Sequence, residues 1–289
     1  MMAEMQFFQP ERLADAIGLL VEHEDARCLA GGATLVAMMN AGLVAPAALV
    51  SLSRIAELAG IAATADGGLR IGAMTRHNET ARSPLFRAGQ QVVPAAAARI
   101  ANQVVRNMGT MGGSISFADP AADYLPALAA ADAGVEIAGP AGRRLLPIAD
   151  FVTDWYATAL LPGELVAAIL VPPAPPSSVG LYEKLDRTAG DFAIASVALV
   201  LALDGEVCRA VRIAIGGCGP APVRLAEAEA ALLGAPLTPE RIAAAGRTLA
   251  AACDPVDDVR ASADYRRAVV PRLLAKTIGR ARRALAEAA

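Results

Sequence analysis

Two short glycine loops constrain this chain more than anything else in it: AGGATL, from Ala30 to Leu35, and TMGGS, from Thr110 to Ser114. A Gly-Gly pair lets the backbone take positive φ, brings it close to a ligand without an intervening Cβ, and lets successive N–H groups converge on an anion. A single such loop is more often a plain tight turn. Two of them in neighbouring α/β segments fit the two negative charges of a dinucleotide pyrophosphate. The spacing is not a Rossmann fingerprint: no G-x-G-x-x-G is present, and Ser51-Leu52-Ser53-Arg54 stands where an acidic residue is needed. No Walker A sequence occurs, so an ordinary NAD or ATP site is not expected.

The surrounding pattern is α+β. Leu13, Ile17, Leu20 and Val21 have helical spacing within Pro10 to His23. A strand over Arg27 to Ala30, a helix over Val36 to Asn40 and a strand over Ala48 to Ser51 complete a first unit, residues 1–57. Ile61 to Gly72 reads as a hairpin turning at Asp66-Gly67-Gly68. Helices near Thr75 to Glu79 and over Val92 to Ile100, then strands over Val135 to Ala138 and Leu145 to Ile148, fill a second unit, 58–176. The proline-rich VPPAPPSS, Val171 to Ser178, is a stiff spacer and the expected boundary. In the third unit, 177–289, Leu181 to Leu185, Ile194 to Leu203 and Val207 to Ile215 predict a three-stranded antiparallel sheet. Helices follow over Val223 to Leu233, over Pro239 to Ala252, and from Ala263, capped by Ser262 and perturbed by Pro271.

Composition removes several function classes. The net charge of −3 and the scattered arginines give no footprint for nucleic acid. The longest apolar run, Phe192 to Leu203, falls short of a membrane span and reads as a buried strand. The opening MMAEMQFFQPER lacks the features of a secretion signal, so a cytoplasmic location is expected. Cys28, Cys208, Cys218 and Cys253 lie far apart without a C-x-x-C, and His23 and His77 are the only histidines. Neither an internal zinc or iron–sulfur site nor a disulfide framework is expected. Electrons moving through such a chain need an organic carrier.

Among individual residues, Asp119 of DPAAD reads as a helix N-cap with Pro120 at the first helical position. Asp123 has two readings: an acceptor for ribose hydroxyls beside the glycine loop, or a carboxylate that favours the helix dipole. Lys184 is one of only two lysines, Lys276 being the other. It is either a compact cation kept for a purpose or an ordinary exposed strand residue. Asp191 and Arg187 read as a pair with each other or with a neighbouring chain, and Trp155 and Tyr156 as filling a core or an interface. Met38 and Met39 are placed beneath the first loop.

Five stretches occur together: AGGATL at Ala30, TMGGSISFADPAAD at Thr110, YEKLDRTAGDFA at Tyr182, GGCGPAPVRLAEAEAALLG at Gly216 and DDVRASADYRRAVVPRLL at Asp257. In order and spacing the chain resembles, over nearly its whole length, the medium, FAD-binding subunit of molybdenum hydroxylases, the group of carbon monoxide dehydrogenase and xanthine dehydrogenase. The resemblance implies two N-terminal subdomains with a vanillyl-alcohol-oxidase-like FAD fold and a C-terminal sheet-and-helix domain closing over them. It implies FAD held at Leu29, Ala30, Gly31, Gly32, Ala33, Thr34 and Leu35 and at Thr110, Met111, Gly112, Gly113 and Ser114, the pyrophosphate on backbone N–H groups. Asp123 then lies near the ribose or adenosine, and Lys184 near the flavin, as a cation favouring the reduced ring. Many relatives read AGGHS at the first loop. Ala33 and Thr34 here exclude a covalent histidyl–flavin link. Met111 and Ser114 depart from TIGGN or TIGGD, which leaves fewer side-chain hydrogen bonds to FAD.

The resemblance also implies partners: a large subunit carrying molybdopterin, where substrate is oxidised, and a small subunit carrying two [2Fe-2S] clusters, assembled as a dimer of heterotrimers. This chain would be an oxidoreductase subunit that passes electrons from FAD to an acceptor: NAD⁺, a quinone, oxygen or a carrier protein. A self-contained flavin oxidase, or a structural subunit that has lost FAD, are the alternatives.

Overall fold

The computed structural model describes residues 5–288, so the first four residues of the opening stretch, on which the expectation of no secretion signal partly rests, lie outside it. In the first unit β1 (Gln6–Phe8), α1 (Leu13–Glu22), β2 (Ala26–Leu29), α2 (Leu35–Asn40) and β3 (Ala48–Ser51) form a parallel sheet in the order β1-β3-β2. The central β3 is buried along its length. Leu13 and Ala16 of α1 bury the helix's apolar stripe with Val50 and Leu52, in a cluster that extends to Leu165 and Ala167 in the next unit.

The second unit contains β4 (Ile61–Ala63), β5 (Leu69–Gly72), α3 (His77–Arg82), α4 (Val92–Ala97), α5 (Gln103–Met108), α6 (Met111–Phe117), α7 (Tyr124–Ala130), β6 (Gly134–Gly139), β7 (Gly142–Pro147), α8 (Ile148–Phe151), β8 (Val152–Asp154), β9 (Ala157–Thr158) and β10 (Leu165–Val171). Its main sheet runs β4-β5-β10-β6-β7, antiparallel throughout. The hairpin turns where expected: Thr64 N–H donates to the Gly68 carbonyl, and the Thr64 hydroxyl bonds Asp66. Three expectations need correction. The second glycine loop is not an open loop, because Gly112 and Gly113 lie in the first turn of α6, capped by the Thr110 hydroxyl. Asp119 does not start a helix. Its carboxylate accepts from Ala121 N–H at 2.9 Å in a local turn, while the Pro120 carbonyl is drawn to Gly217 N–H at 3.0 Å, and α7 begins only at Tyr124. Of the core or interface expected for Trp155 and Tyr156, the core half falls, because both stand exposed at the β8–β9 turn.

In the third unit β11 (Ser178–Leu185), β12 (Ala195–Asp204) and β13 (Val207–Gly216) form an antiparallel sheet backed by α9 (Ala226–Ala230), α10 (Pro239–Ala252) and α11 (Ala263–Ala288). The apolar run Val197 to Leu203 of β12 has a simple cause: both faces of the strand are covered. Val197, Leu199 and Leu201 pack on Leu249, Leu274 and Ile278 of α10 and α11. Ala198 and Val200, alternating with them, join the core that holds Val92, Ala96, Tyr124 and Leu128 of the second unit. The helix expected over Val223 to Leu233 shrinks to α9, because Val223 exchanges two backbone hydrogen bonds of 2.9 Å with Ile215 instead.

Candidate functional site

The two glycine segments, distant in sequence, meet in space. After β2 the chain turns at Gly32 (φ +76°) into α2. Gly31 is pressed so closely on the α5–α6 turn that a Cβ there would lie 2.0 Å from the Met108 carbonyl oxygen. A cavity of about 410 Å³ opens along this seam, walled by all three units. The first unit supplies Ala30 to Leu35 and Met38. The second supplies Thr110, Gly112, Gly113 and Ser114 with His77, Asp119 and Asp123. The third closes it with Gly190, Asp191 and Phe192.

Its two glycine walls differ chemically. Among the described residues no protein acceptor takes the backbone N–H groups of Gly31 to Leu35. In the second loop those groups are committed: Met111 donates to the Thr75 carbonyl at 2.9 Å, Gly112 to Ala73 at 2.8 Å, Gly113 to the Thr110 hydroxyl at 3.2 Å and Ser114 to the Thr110 carbonyl at 3.0 Å. The free backbone donors therefore sit in the first loop, while the second offers close approach and the Ser114 side chain. Ile100, Val105, Leu160 and Phe192 make part of the remaining wall apolar.

Of the residues singled out in the sequence, Ala30, Gly31, Gly32, Ala33, Thr34, Leu35, Thr110, Gly112, Gly113, Ser114 and Asp123 line this cavity; Leu29, Met111 and Lys184 do not. Leu29 ends a strand, and Met111 is wholly buried in the core. Lys184 is neither exposed nor aimed at the cavity. Its side chain is fully buried, with Nζ 3.0 Å from the Asp123 carboxylate, 3.0 Å from the Arg99 carbonyl and 2.8 Å from the Asp191 carbonyl. Tyr182 also donates to Asp123, at 2.7 Å. Burial pushes the Asp123 carboxyl above its ordinary pKa, and the Lys184 ammonium opposes that rise. Lys184 thus ties a cavity carboxylate to two wall segments. Of the two expectations for Asp191 and Arg187, pairing with each other fails, since Asp191 takes the Thr188 hydroxyl at 2.9 Å.

Sequence reasoning passed over His77, Phe192 and Gly190. The last two lie in the quoted YEKLDRTAGDFA stretch, so position there was the available signal. His77, a lone imidazole at a helix start, carried none. It is buried, with Nδ1 3.3 Å from the Tyr124 hydroxyl, and burial reinforced by the nearby Arg106 charge pulls its pKa from 6.5 to about 4. The folded chain keeps this ring neutral while the unfolded chain protonates it. Stability present above pH 6.5 is therefore lost as pH falls towards 4, by about 3 kcal/mol. Urea unfolding near neutrality and near pH 4.5 should show a smaller acid loss in His77→Gln than in the wild type. An equal loss in both proteins would remove His77 as its cause.

A mixed α/β chain with unpartnered backbone donors on a cavity between three units is a cofactor-holding protein. The comparisons make this specific. Residues 3–174 match the FAD binding domain in molybdopterin dehydrogenase, and residues 180–281 match the CO dehydrogenase flavoprotein C-terminal domain. The chain belongs to the family of FAD-binding subunits of molybdopterin dehydrogenases. It is 36% identical over 264 residues to the 6-hydroxypseudooxynicotine dehydrogenase complex subunit alpha of Paenarthrobacter nicotinovorans, covering 90% of this chain and 89% of that one. It is 35% identical to the carbon monoxide dehydrogenase medium chain of Hydrogenophaga pseudoflava, with 96% of each covered. A solved carbon monoxide dehydrogenase from that organism superposes with a TM-score of 0.92, at 35% identity, over 97% of this chain and 98% of the other. Quinoline 2-oxidoreductase from Pseudomonas putida 86 gives 0.91 at 30% identity, over 98% of each chain.

Proposed function

We propose that this chain is the FAD-holding electron-transfer subunit of a molybdenum hydroxylase. It takes electrons from the [2Fe-2S] clusters of a small subunit and hands them to an external acceptor, while substrate is oxidised on a large molybdopterin-binding subunit. The observation that carries the reading is the run of unpartnered N–H groups from Gly31 to Leu35 on the cavity wall. These residues are at most partly buried, so their N–H groups stay accessible to a ligand; successive backbone donors on one wall make an anion site, and a pyrophosphate supplies the acceptors. The residues present therefore fit the cofactor. FAD, when bound, supplies a carrier that takes electrons singly or in pairs.

The protein's part is position and electrostatics. In this reading the first two units form the vanillyl-alcohol-oxidase-like fold. The first loop binds the pyrophosphate, with Ser114 and the close approach of Thr110 to Gly113 completing the cradle. Asp123, pinned by Lys184 and Tyr182, offers an acceptor to the ribose or adenosine hydroxyls, and the apolar wall keeps water from the ring. Lys184 acts as a positioning residue and not as a charge facing the flavin. Assembly is a dimer of heterotrimers in the cytoplasm. No helix among the described residues is long and apolar enough to cross a membrane.

The test is the visible spectrum of the chain purified with and without added FAD, then of the chain co-expressed with its two partner subunits. Flavin bands that co-elute on gel filtration and bleach with dithionite are expected. A protein that refuses excess FAD both alone and in the assembled complex would be a structural subunit, and the reading would fail. A flavin that turns over substrate without the partners would make the chain a self-contained oxidase.

A further inference from the structure

His77 lines the cavity, yet its side chain is 4% exposed and makes a single hydrogen bond among the described residues. Its backbone N–H donates to the Gly109 carbonyl at 3.1 Å, which seats α3 on the α5–α6 turn. The ring lies against Gly109 itself: a Cβ there would meet Nε2 at 2.4 Å and Cδ2 at 2.8 Å. Gly31 of the first loop presses on the same residue, since a Cβ at Gly31 would lie 2.8 Å from the Gly109 α-carbon. The imidazole and the loop that carries the unpartnered N–H groups therefore abut one glycine.

The position of the ring proton follows from Tyr124. Its side chain is fully buried, and the one hydrogen bond its hydroxyl makes among the described residues is to His77 Nδ1 at 3.3 Å. A hydroxyl cut off from water has a proton to place, and Nδ1 takes it only as a bare, accepting nitrogen. The ring is neutral at neutral pH, because burial, reinforced by the Arg106 charge, pulls its pKa to about 4. A neutral imidazole carries one N–H, so here it is on Nε2. Nε2 has no protein partner among the described residues. Nor is it sealed in: the enclosed side-chain atoms that lack a partner are Glu183 Oε1, Ser196 Oγ and Arg266 Nε. The open space it reaches is the cavity that His77 lines.

We propose that His77 is a ligand-binding residue of this cavity, a neutral donor whose Nε2–H gives a hydrogen bond to an anionic diphosphate oxygen held beside the N–H groups of the first loop. The assignment rests on the FAD reading above. Tyr124 is then a positioning residue: its hydroxyl fixes the tautomer that turns the N–H towards the cavity. A neutral donor adds to the backbone N–H groups without placing a charge in a largely buried site, where an ammonium or imidazolium would have to be desolvated.

Nuclear magnetic resonance of the cofactor-free full chain, made with nitrogen-labelled histidine, reads the tautomer. His23 is the only other histidine, so loss of a signal in His77→Gln assigns it. A proton on Nε2 is expected; a proton on Nδ1 overturns the proposal. FAD affinity is then measured on the chain alone or, if FAD enters only with the partners present, on the assembled complex. His77→Phe keeps a ring without the donor and should weaken binding about tenfold or more. His77→Gln returns a donor at similar reach and should recover most of that loss. Tyr124→Phe should weaken binding less than His77→Phe and let both tautomers appear. Equal affinity in the wild type and His77→Phe overturns the proposal and leaves the FAD reading standing. A wild type that takes up no FAD, alone or in the complex, sinks that reading and this assignment with it. Should His77→Phe fail to fold, Tyr124→Phe decides: unchanged affinity with the proton still on Nε2 alone overturns the proposal.

Discussion

Gly31→Val is expected to destroy FAD binding while leaving the chain folded. A side chain at this position meets the Met108 carbonyl and the Gly109 backbone, neither of which can swing away as a side chain could. Overpacking of this kind costs about 1–3 kcal/mol. The overlap is relieved by the first loop lifting off the α5–α6 turn, which moves the free N–H groups of Gly31 to Leu35 away from whatever anion they hold. Losing two hydrogen bonds to a charged group costs about 3–6 kcal/mol, a weakening of about a hundredfold or more. FAD titration followed by fluorescence quenching, with thermal melting of the cofactor-free protein, separates the two effects. Gly18→Ala is the control, since a Cβ there meets nothing within 4 Å and alanine suits a helix better than glycine. If Gly31→Val binds FAD as the wild type does, the first loop is not the cradle.

The first loop was legible because its information is local: glycine beside glycine between a strand and a helix. The Asp66-Gly67-Gly68 hairpin and the antiparallel strands of the third unit were readable for the same reason. What escaped was set by partners far away in the chain. β10 pairs with β5 across the whole run of intervening helices, and its unbroken LVAAILV has no period to separate it from a buried helix. The second glycine loop looked like the first, but the Ala73 and Thr75 carbonyls had already claimed its donors. Neighbouring Glu183 and Lys184 should by alternation place one charge outward. Instead β11 is covered on both sides. Glu183 meets Lys276 and Arg280 of α11, and Lys184 meets Asp123 on the opposite face. No local pattern could show that both charges are buried.

That burial makes Lys184→Met the most damaging single change expected outside the glycine loops. It leaves the Asp123 carboxylate buried without its cation and strips a donor from the Arg99 and Asp191 carbonyls. Breaking one side of a buried pair costs about 3–5 kcal/mol. Met has a similar reach and no charge, so lost packing contributes little. The pH dependence identifies the cause. Asp123 already titrates above its ordinary 3.8 despite Lys184, and without that ammonium its folded pKa climbs further. A folded carboxyl with a raised pKa holds its proton where the unfolded one has lost it, so stability falls as pH rises through the gap between the two. The deficit of Lys184→Met relative to wild type should therefore be smaller near pH 5 than near pH 8. His77 titrates in both proteins, so its effect cancels in the comparison. Asp123→Asn in the Lys184→Met background should recover part of the loss, because the orphaned charge is gone. The double-mutant cycle measures the coupling directly. A deficit below about 1 kcal/mol that does not vary with pH would fit only a solvent-exposed pair and would deny Lys184 its place as the tie between the cavity carboxylate and the two wall segments it joins.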